Sequence, residues 1–321
     1  VSTTNKANLH DAGNPSLIAV EIALCECRGT YDRCDTRQVA EVSQDVVFIG
    51  SLRRLDFEDH YASGTFPIGT NSTIINADGE GRTFVITNSA TVSFTHMAIV
   101  NGNAFNADAS TNDNGGGFYL HNGEASFKQV FICNNVAENG GGYYANNNTD
   151  TDMTGMTLGR CTPAQVLEDP VTGEVLSVRR IPFIGNRADT HGGAAYMAGT
   201  SDLRNNGVIN NEAGLSGPSG NGGGIYNAGS GNRIINTFFS VNSTPYDGGG
   251  LYNSGTNFRM LHNTLRNNYA GGQGGGIASN TSSFTLNSSI LYSNTAVTDG
   301  GGLYATGSPA LTHNNFYDNI P

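Results

Sequence analysis

The sequence predicts an all-β solenoid, a parallel β-helix with about 26 residues and three short strands per coil. Three observations carry that reading. A glycine phrase recurs as Gly222-Gly-Gly-Ile-Tyr226, Gly248-Gly-Gly-Leu-Tyr252, Gly274-Gly-Gly-Ile-Ala278 and Gly300-Gly-Gly-Leu-Tyr304, each 26 residues after the last. A fixed period in this range marks a solenoid. An apolar residue nine before the run and an Asn six before it travel with the phrase: Phe239 with Asn242, Leu265 with Asn268, Leu291 with Asn294. The same spacing fits Phe131 with Asn134, Phe183 with Asn186, and Phe316 with Asn319. Finally, the period from Gly248 to Gln273 holds three alternating runs, around Leu251, Phe258 and Leu265, separated by Gly, Asn, Ser and Thr, as strands separated by turns should be. No run of ten residues has helical spacing, and Gly and Asn form helices poorly.

Taken in order, residues 1–60 do not repeat and read as a cap, because a solenoid's first coil leaves its core and strand edges open. Within them Ser16 to Leu24 suits a strand or a short helix, and Asp45 to Gly50 suits a strand. The β-helix is expected over 61–321. It begins irregularly with strands around Ile74, Phe84 and Val92 to Val100, then reaches the first glycine phrase at Gly115 and the next at Gly140. The following gap, to Gly192, is 52 residues long yet carries one set of marks. Residues 161–178, with Pro163, Pro170 and Gly173, therefore read as an insertion, and solenoid insertions often lie on the binding face. Gly214 to Gly220 lengthens a later turn.

Stacking assigns work to each row. Phe131, Phe183, Phe239, Leu265, Leu291 and Phe316 should point inward, each burial worth roughly 1.5–3 kcal/mol. Asn134, Asn186, Asn242, Asn268, Asn294 and Asn319 should sit at a turn, tolerating left-handed geometry and bonding neighbouring amides. Ile225, Leu251, Ile277 and Leu303 should face in. The tyrosines beside these glycine phrases, Tyr119, Tyr144, Tyr196, Tyr226, Tyr252 and Tyr304, should then face out. That row has two readings: a contact strip for sugar rings or another protein, or a mutual ladder that stabilises the sheet.

The phrases Phe131-Ile-Cys-Asn134, Phe183-Ile-Gly-Asn186, Phe239-Ser-Val-Asn242 and Phe316-Tyr-Asp-Asn319, with Gly192-Gly-Ala-Ala195, resemble the Phe-x-x-Asn and Gly-Gly-Ala motifs of polymorphic outer membrane proteins. The resemblance covers about residues 70–321. It implies a right-handed parallel β-helix of the pectin-lyase-like kind, borne on an exported bacterial surface protein used in adhesion. Most copies here carry a third Gly where the motif has Ala, and the chain contains no membrane-barrel sequence.

Composition sets limits. Charged residues are 13% of the chain, net charge is −11, and only Lys6 and Lys128 are lysines, which disfavours nucleic acid and anionic membrane surfaces. No eighteen-residue apolar stretch spans a bilayer. Of the five cysteines, Cys25, Cys27 and Cys34 cluster, and a disulfide among them is favoured over a metal site that wants four ligands. Cys133 and Cys161 lie nearly one coil apart, so a bridge between stacked neighbours is plausible. Sequons stand at Asn71, Asn147, Asn242, Asn280 and Asn287.

Chemistry is harder to find. A polysaccharide lyase needs a base beside acidic groups or Ca²⁺, and a hydrolase needs paired carboxylates. Asp247 and Asp299 precede glycine runs two coils apart, with Gln273 between them, and read as turn formers. Arg187, Arg233, Arg259 and Arg266 fall at different coil positions, and His191 stands alone before Gly192. No cofactor is expected; Asp150 with Asp152, or Asp108 with Asp113, are the candidates for Ca²⁺. The expectation is a non-enzymatic secreted or cell-surface protein, adhesin-like or self-assembling through solenoid-end stacking, with proteins or glycans as partners. The alternative is a carbohydrate-active enzyme with its site in 161–178 or the early coils.

Overall fold

The computed structural model describes residues 74–77, 79, 81–106, 113–155, 157–159, 185–216, 219–281 and 283–321, and the strands 38–42, 46–49, 165–168 and 175–179. Ser16 to Leu24, Cys25, Cys27, Cys34, Asn71, Asp108, Cys161 and Phe183 lie outside them. The described residues form a parallel β-helix. In the coil that begins at Gly248 the three expected strands are Leu251–Asn253, Phe258–Leu261 and Thr264–Arg266, followed by a two-residue fourth, Tyr269–Ala270. Each pairs in parallel with its equivalent 26 residues later.

Stacked rungs build a nine-stranded sheet that carries the tyrosines, a sixteen-stranded sheet, and a narrow six-stranded sheet. The strands Thr91–Val100 and Glu124–Cys133 run unbroken through the sixteen-stranded sheet. From Asp150 onward each coil breaks it at a turn residue with positive φ, such as Asn205, Asn236 or His262. Gln38–Val42 and Val46–Ile49 add parallel rungs to these sheets, so the ladder reaches back into the segment read as a cap. In the long gap, Gln165–Glu168 and Val175–Arg179 pair antiparallel with each other as a separate two-stranded sheet.

The glycine phrase is a corner. Its first residue has positive φ, 74° at Gly248, and a Cβ on the second, Gly249, would meet the Tyr269 carbonyl oxygen at 2.4 Å. The third position is less strict, since Ala194 occupies it fully buried.

Ile225, Leu251 and Ile277 are wholly buried and in register, as the alternation predicts. The other expected core row needs two corrections. Its register runs Ile99, Ile132, Leu158, Val208, Phe239, Leu265, Leu291, Phe316. Phe131 is therefore one residue out of the row, opposite Ala98 and Thr157, although it is buried. The place expected for Phe183 is held by the strand Thr157–Gly159, and Val208 was missed because the lengthened turn Gly214 to Gly220 sets it fourteen residues before Gly222 rather than nine. Phe316, with no coil stacked beyond it among these residues, is 42% exposed.

The Asn row also shifts by one at its start. Asn135, not Asn134, joins Asn186, Asn211, Asn242, Asn268, Asn294 and Asn319 in a continuous ladder. Asn242 Nδ2 donates to Asn268 Oδ1 (2.9 Å) and to the Val208 carbonyl (2.9 Å), while its Oδ1 accepts from the backbone N–H (3.0 Å) and Nδ2 (2.9 Å) of Asn211. Both ends of the side-chain amide are used, which Asp lacks the donor to do. The left-handed residue is the one before the ladder Asn in six of the seven places: Asn134, Asn210, Val241, Asn267, Ser293 and Asp318 all have φ between 52° and 59°. Asparagine is thus selected here for its amide rather than for backbone tolerance. A second ladder, through Thr237, Asn263, Ser289 and Asn314, holds the turn between the two legs of the large sheet.

Candidate functional site

The tyrosine row lies in one register on the nine-stranded sheet: Tyr119, Tyr144, Tyr196, Tyr226, Tyr252, then Ala278 and Tyr304. Alternation along each strand sends the Ile225 and Leu251 row inward and this row out. Tyr119 is nevertheless buried, and Tyr144, Tyr196, Tyr226 and Tyr252 are half-buried, because neighbouring rings cover one another; Tyr304, beyond Ala278, is half-buried without a ring partner in the row. Tyr144 and Tyr196 stack at 4.9 Å between centroids and 14° between planes, Tyr196 and Tyr226 at 4.9 Å and 6°, and Tyr226 and Tyr252 at 5.2 Å and 19°.

This geometry joins the two readings of the row. The ring faces meet each other, so they stabilise the sheet as a ladder, each stacked pair contributing about 0.5–1.5 kcal/mol beyond its burial. What the stack leaves outward is a line of ring edges with their hydroxyl ends, at the rung spacing of about 4.8 Å; the Tyr226 hydroxyl accepts from Ser254 Oγ (3.3 Å) and the Tyr119 hydroxyl lies 3.4 Å from His121 Nδ1. Laying a sugar ring on an exposed aromatic face is not available within the stack.

The row is closed at one end by Arg82. Its guanidinium lies 4.9 Å over the Tyr119 ring, and its Nε donates to the carbonyls of Asn114 (2.8 Å) and Gly115 (3.0 Å). Burial lowers its pKa to about 10. Burial likewise raises the pKa of Tyr144 and Tyr252, and that of Tyr196 to about 12, with the neighbouring tyrosines adding to the shift at Tyr196. Tyr143, inward and wholly buried, has its hydroxyl paired with Thr151, and burial raises its pKa as well.

The polar residues beside the strip are engaged in holding the corner. His191 packs on Tyr226 (4.5 Å), and its Nδ1 accepts the Asn221 N–H (3.0 Å). Burial lowers its pKa. The Asp247 N–H donates to Asn221 Oδ1 (3.1 Å), and Asp247 Oδ1 accepts the Gln273 N–H (2.7 Å). Gln273 and Asp299 bridge in turn. The Asp247 carboxylate caps the backbone of the adjacent coil, as a turn former does, while Asp299 joins that coil through its backbone.

The remaining candidates do not converge, although Arg233 and Arg259, expected at different coil positions, lie in one register on adjacent rungs. Arg187 pairs with Glu212 (3.5 Å), Arg233 with Asp202, and Arg266 lies over Phe238 (5.0 Å) while donating to the Tyr292 hydroxyl (3.2 Å). Asp150 and Asp152 are both exposed on one strand, and no group of three His, Cys, Asp or Glu converges among the described residues. Cys133 is wholly buried and disulfide-bonded, to a partner outside the described residues. Of the sequons, Asn242 is buried in the Asn ladder, whereas Asn147 and Asn280 are exposed. No helix among the described residues is long and apolar enough to cross a membrane.

No family model, curated protein or solved structure matches the chain.

Proposed function

We propose that this chain is a non-enzymatic, secreted or cell-surface structural protein, adhesin-like, that touches its partner along the tyrosine sheet. The observation that carries the reading is the stacked row itself. Successive coils spend their outward position on large rings locked against each other, which gives a rigid ribbon of hydroxyls with little side-chain entropy left to lose on contact. The flanking His191, Asn221 and Asp247 are committed to backbone amides, and this favours a scaffold over a site that moves protons.

Export is supported by the resemblance of the repeat motifs to those of polymorphic outer membrane proteins. The disulfide at Cys133 agrees with an oxidising compartment, and Cys161 is its proposed partner. The partner surface is a hydroxyl-rich one, a polysaccharide or a protein. The test is to incubate the purified chain with immobilised polysaccharides and cell surfaces, measuring retention and released sugar ends together. Retention without product is expected. Product release, or no retention on any surface, would overturn the reading.

A further inference from the structure

The sixteen-stranded sheet carries a second outward row, away from the tyrosines. In register it reads Ser93, Ser126, Asp152, Asp202, Arg233, Arg259, Thr285, Ala310. Asp152, Arg233 and Arg259 are exposed. Two carboxylates are stacked on adjacent rungs, then two guanidiniums, and Glu124 with Asp150 form a third like-charge rung beside them. Like charges directly opposite in neighbouring strands destabilise a sheet. Within the chain only the junction is neutralised. Asp202 accepts from Arg204 and Arg233, while Asp152 and Arg259 enter no ion pair among the described residues.

The order of charge is antisymmetric about the midpoint between Asp202 and Arg233: neutral, minus, minus, plus, plus, neutral. We propose that this face pairs with a second copy of itself, antiparallel. The two-fold axis lies in the interface and parallel to the strands, passing between those two rungs. That operation sets Asp202 opposite Arg233 of the second copy, Asp152 opposite Arg259, and Ser126 opposite Thr285, over about 24 Å of the solenoid. The flanking row raises no objection: Arg204 meets Ile235, and Lys128 meets Asn287. The Asp152–Asp202 and Arg233–Arg259 pairs thereby gain opposed partners, while Glu124 and Asp150 face uncharged positions. Electrostatic complementarity of this sort fixes register more than it adds affinity, so the dimer is salt-sensitive. The inference is independent of the tyrosine face.

Sedimentation equilibrium of the full chain tests it. At low ionic strength the wild type is expected to dimerise, and to dissociate in about 1 M salt, where the screening length is about 3 Å. Arg259→Asp alone, or Asp152→Arg alone, sets like charges opposite each other and weakens the dimer by about tenfold or more. The double variant Asp152→Arg with Arg259→Asp restores antisymmetry and restores the dimer. Both positions are exposed, and unchanged melting temperatures confirm that the fold is intact. A wild type monomeric at low salt and high concentration, or a dimer indifferent to the single swaps, or a double variant no better than the singles, overturns the proposal.

Discussion

At the scale of single residues, the buried asparagines bear the most. Replacing Asn242 by Ala leaves the Asn211 amides and the Val208 carbonyl without their partner, so a loss of about 2–4 kcal/mol is expected in denaturant unfolding. The corner glycines are graded. Gly249→Ala should cost more than Gly250→Ala, because a Cβ at 249 strikes carbonyl oxygens of two coils, whereas Ala194 already fills the place equivalent to 250. Melting curves of the two variants decide this. Two titrations bracket the stable range. His191 has its pKa lowered by the fold, so its contribution is present above about pH 6.5 and is lost as pH falls through the folded value. Tyr196 has its pKa raised to about 12, so its contribution is present below about pH 10 and is lost as pH rises through 12. His191→Asn should flatten the acid limb of a melting-temperature profile, and Tyr196→Phe the alkaline limb. The first Asn of the ladder was misread for a residue-scale reason. Asn134 and Asn135 are adjacent, and only the hydrogen bonds separate the left-handed residue from the one that continues the ladder.

At the scale of elements, the glycine phrase, the alternation of Ile and Leu with Tyr, and the three strands of a coil were all legible, because each recurs at a fixed period. The rungs that escaped were those that depart from the period. The lengthened turn before Gly222 moves Val208 out of the fixed spacing, and a two-residue fourth strand such as Tyr269–Ala270 is too short to alternate. The candidate site was half legible. Spacing placed the tyrosines in one row, but whether their faces or their edges meet solvent depends on ring orientation, which periodicity does not encode. Stacking makes Tyr226→Ser with Tyr252→Ser a destabilising pair, by about 1–3 kcal/mol, since it removes stacks on both sides of the row. Unchanged unfolding of that double variant would mean that the rings do not support the sheet.

At the scale of the whole molecule, the fold is a stack in which each coil meets only its neighbours, so stability is a sum of rung contributions and surface rows are free to diverge. One sheet carries the tyrosine edge and another carries the antisymmetric charges, which gives a rigid body two separate faces. A contact protein uses such faces without any converging acid and base. The most direct measurement of that account is the binding of Tyr196→Phe, Tyr226→Phe, Tyr252→Phe, combined in one chain, to a surface that retains the wild type. The stacked rings remain and the outward hydroxyls are gone. The account predicts weakened retention with a melting temperature close to wild type at neutral pH. Full retention by this variant would contradict it.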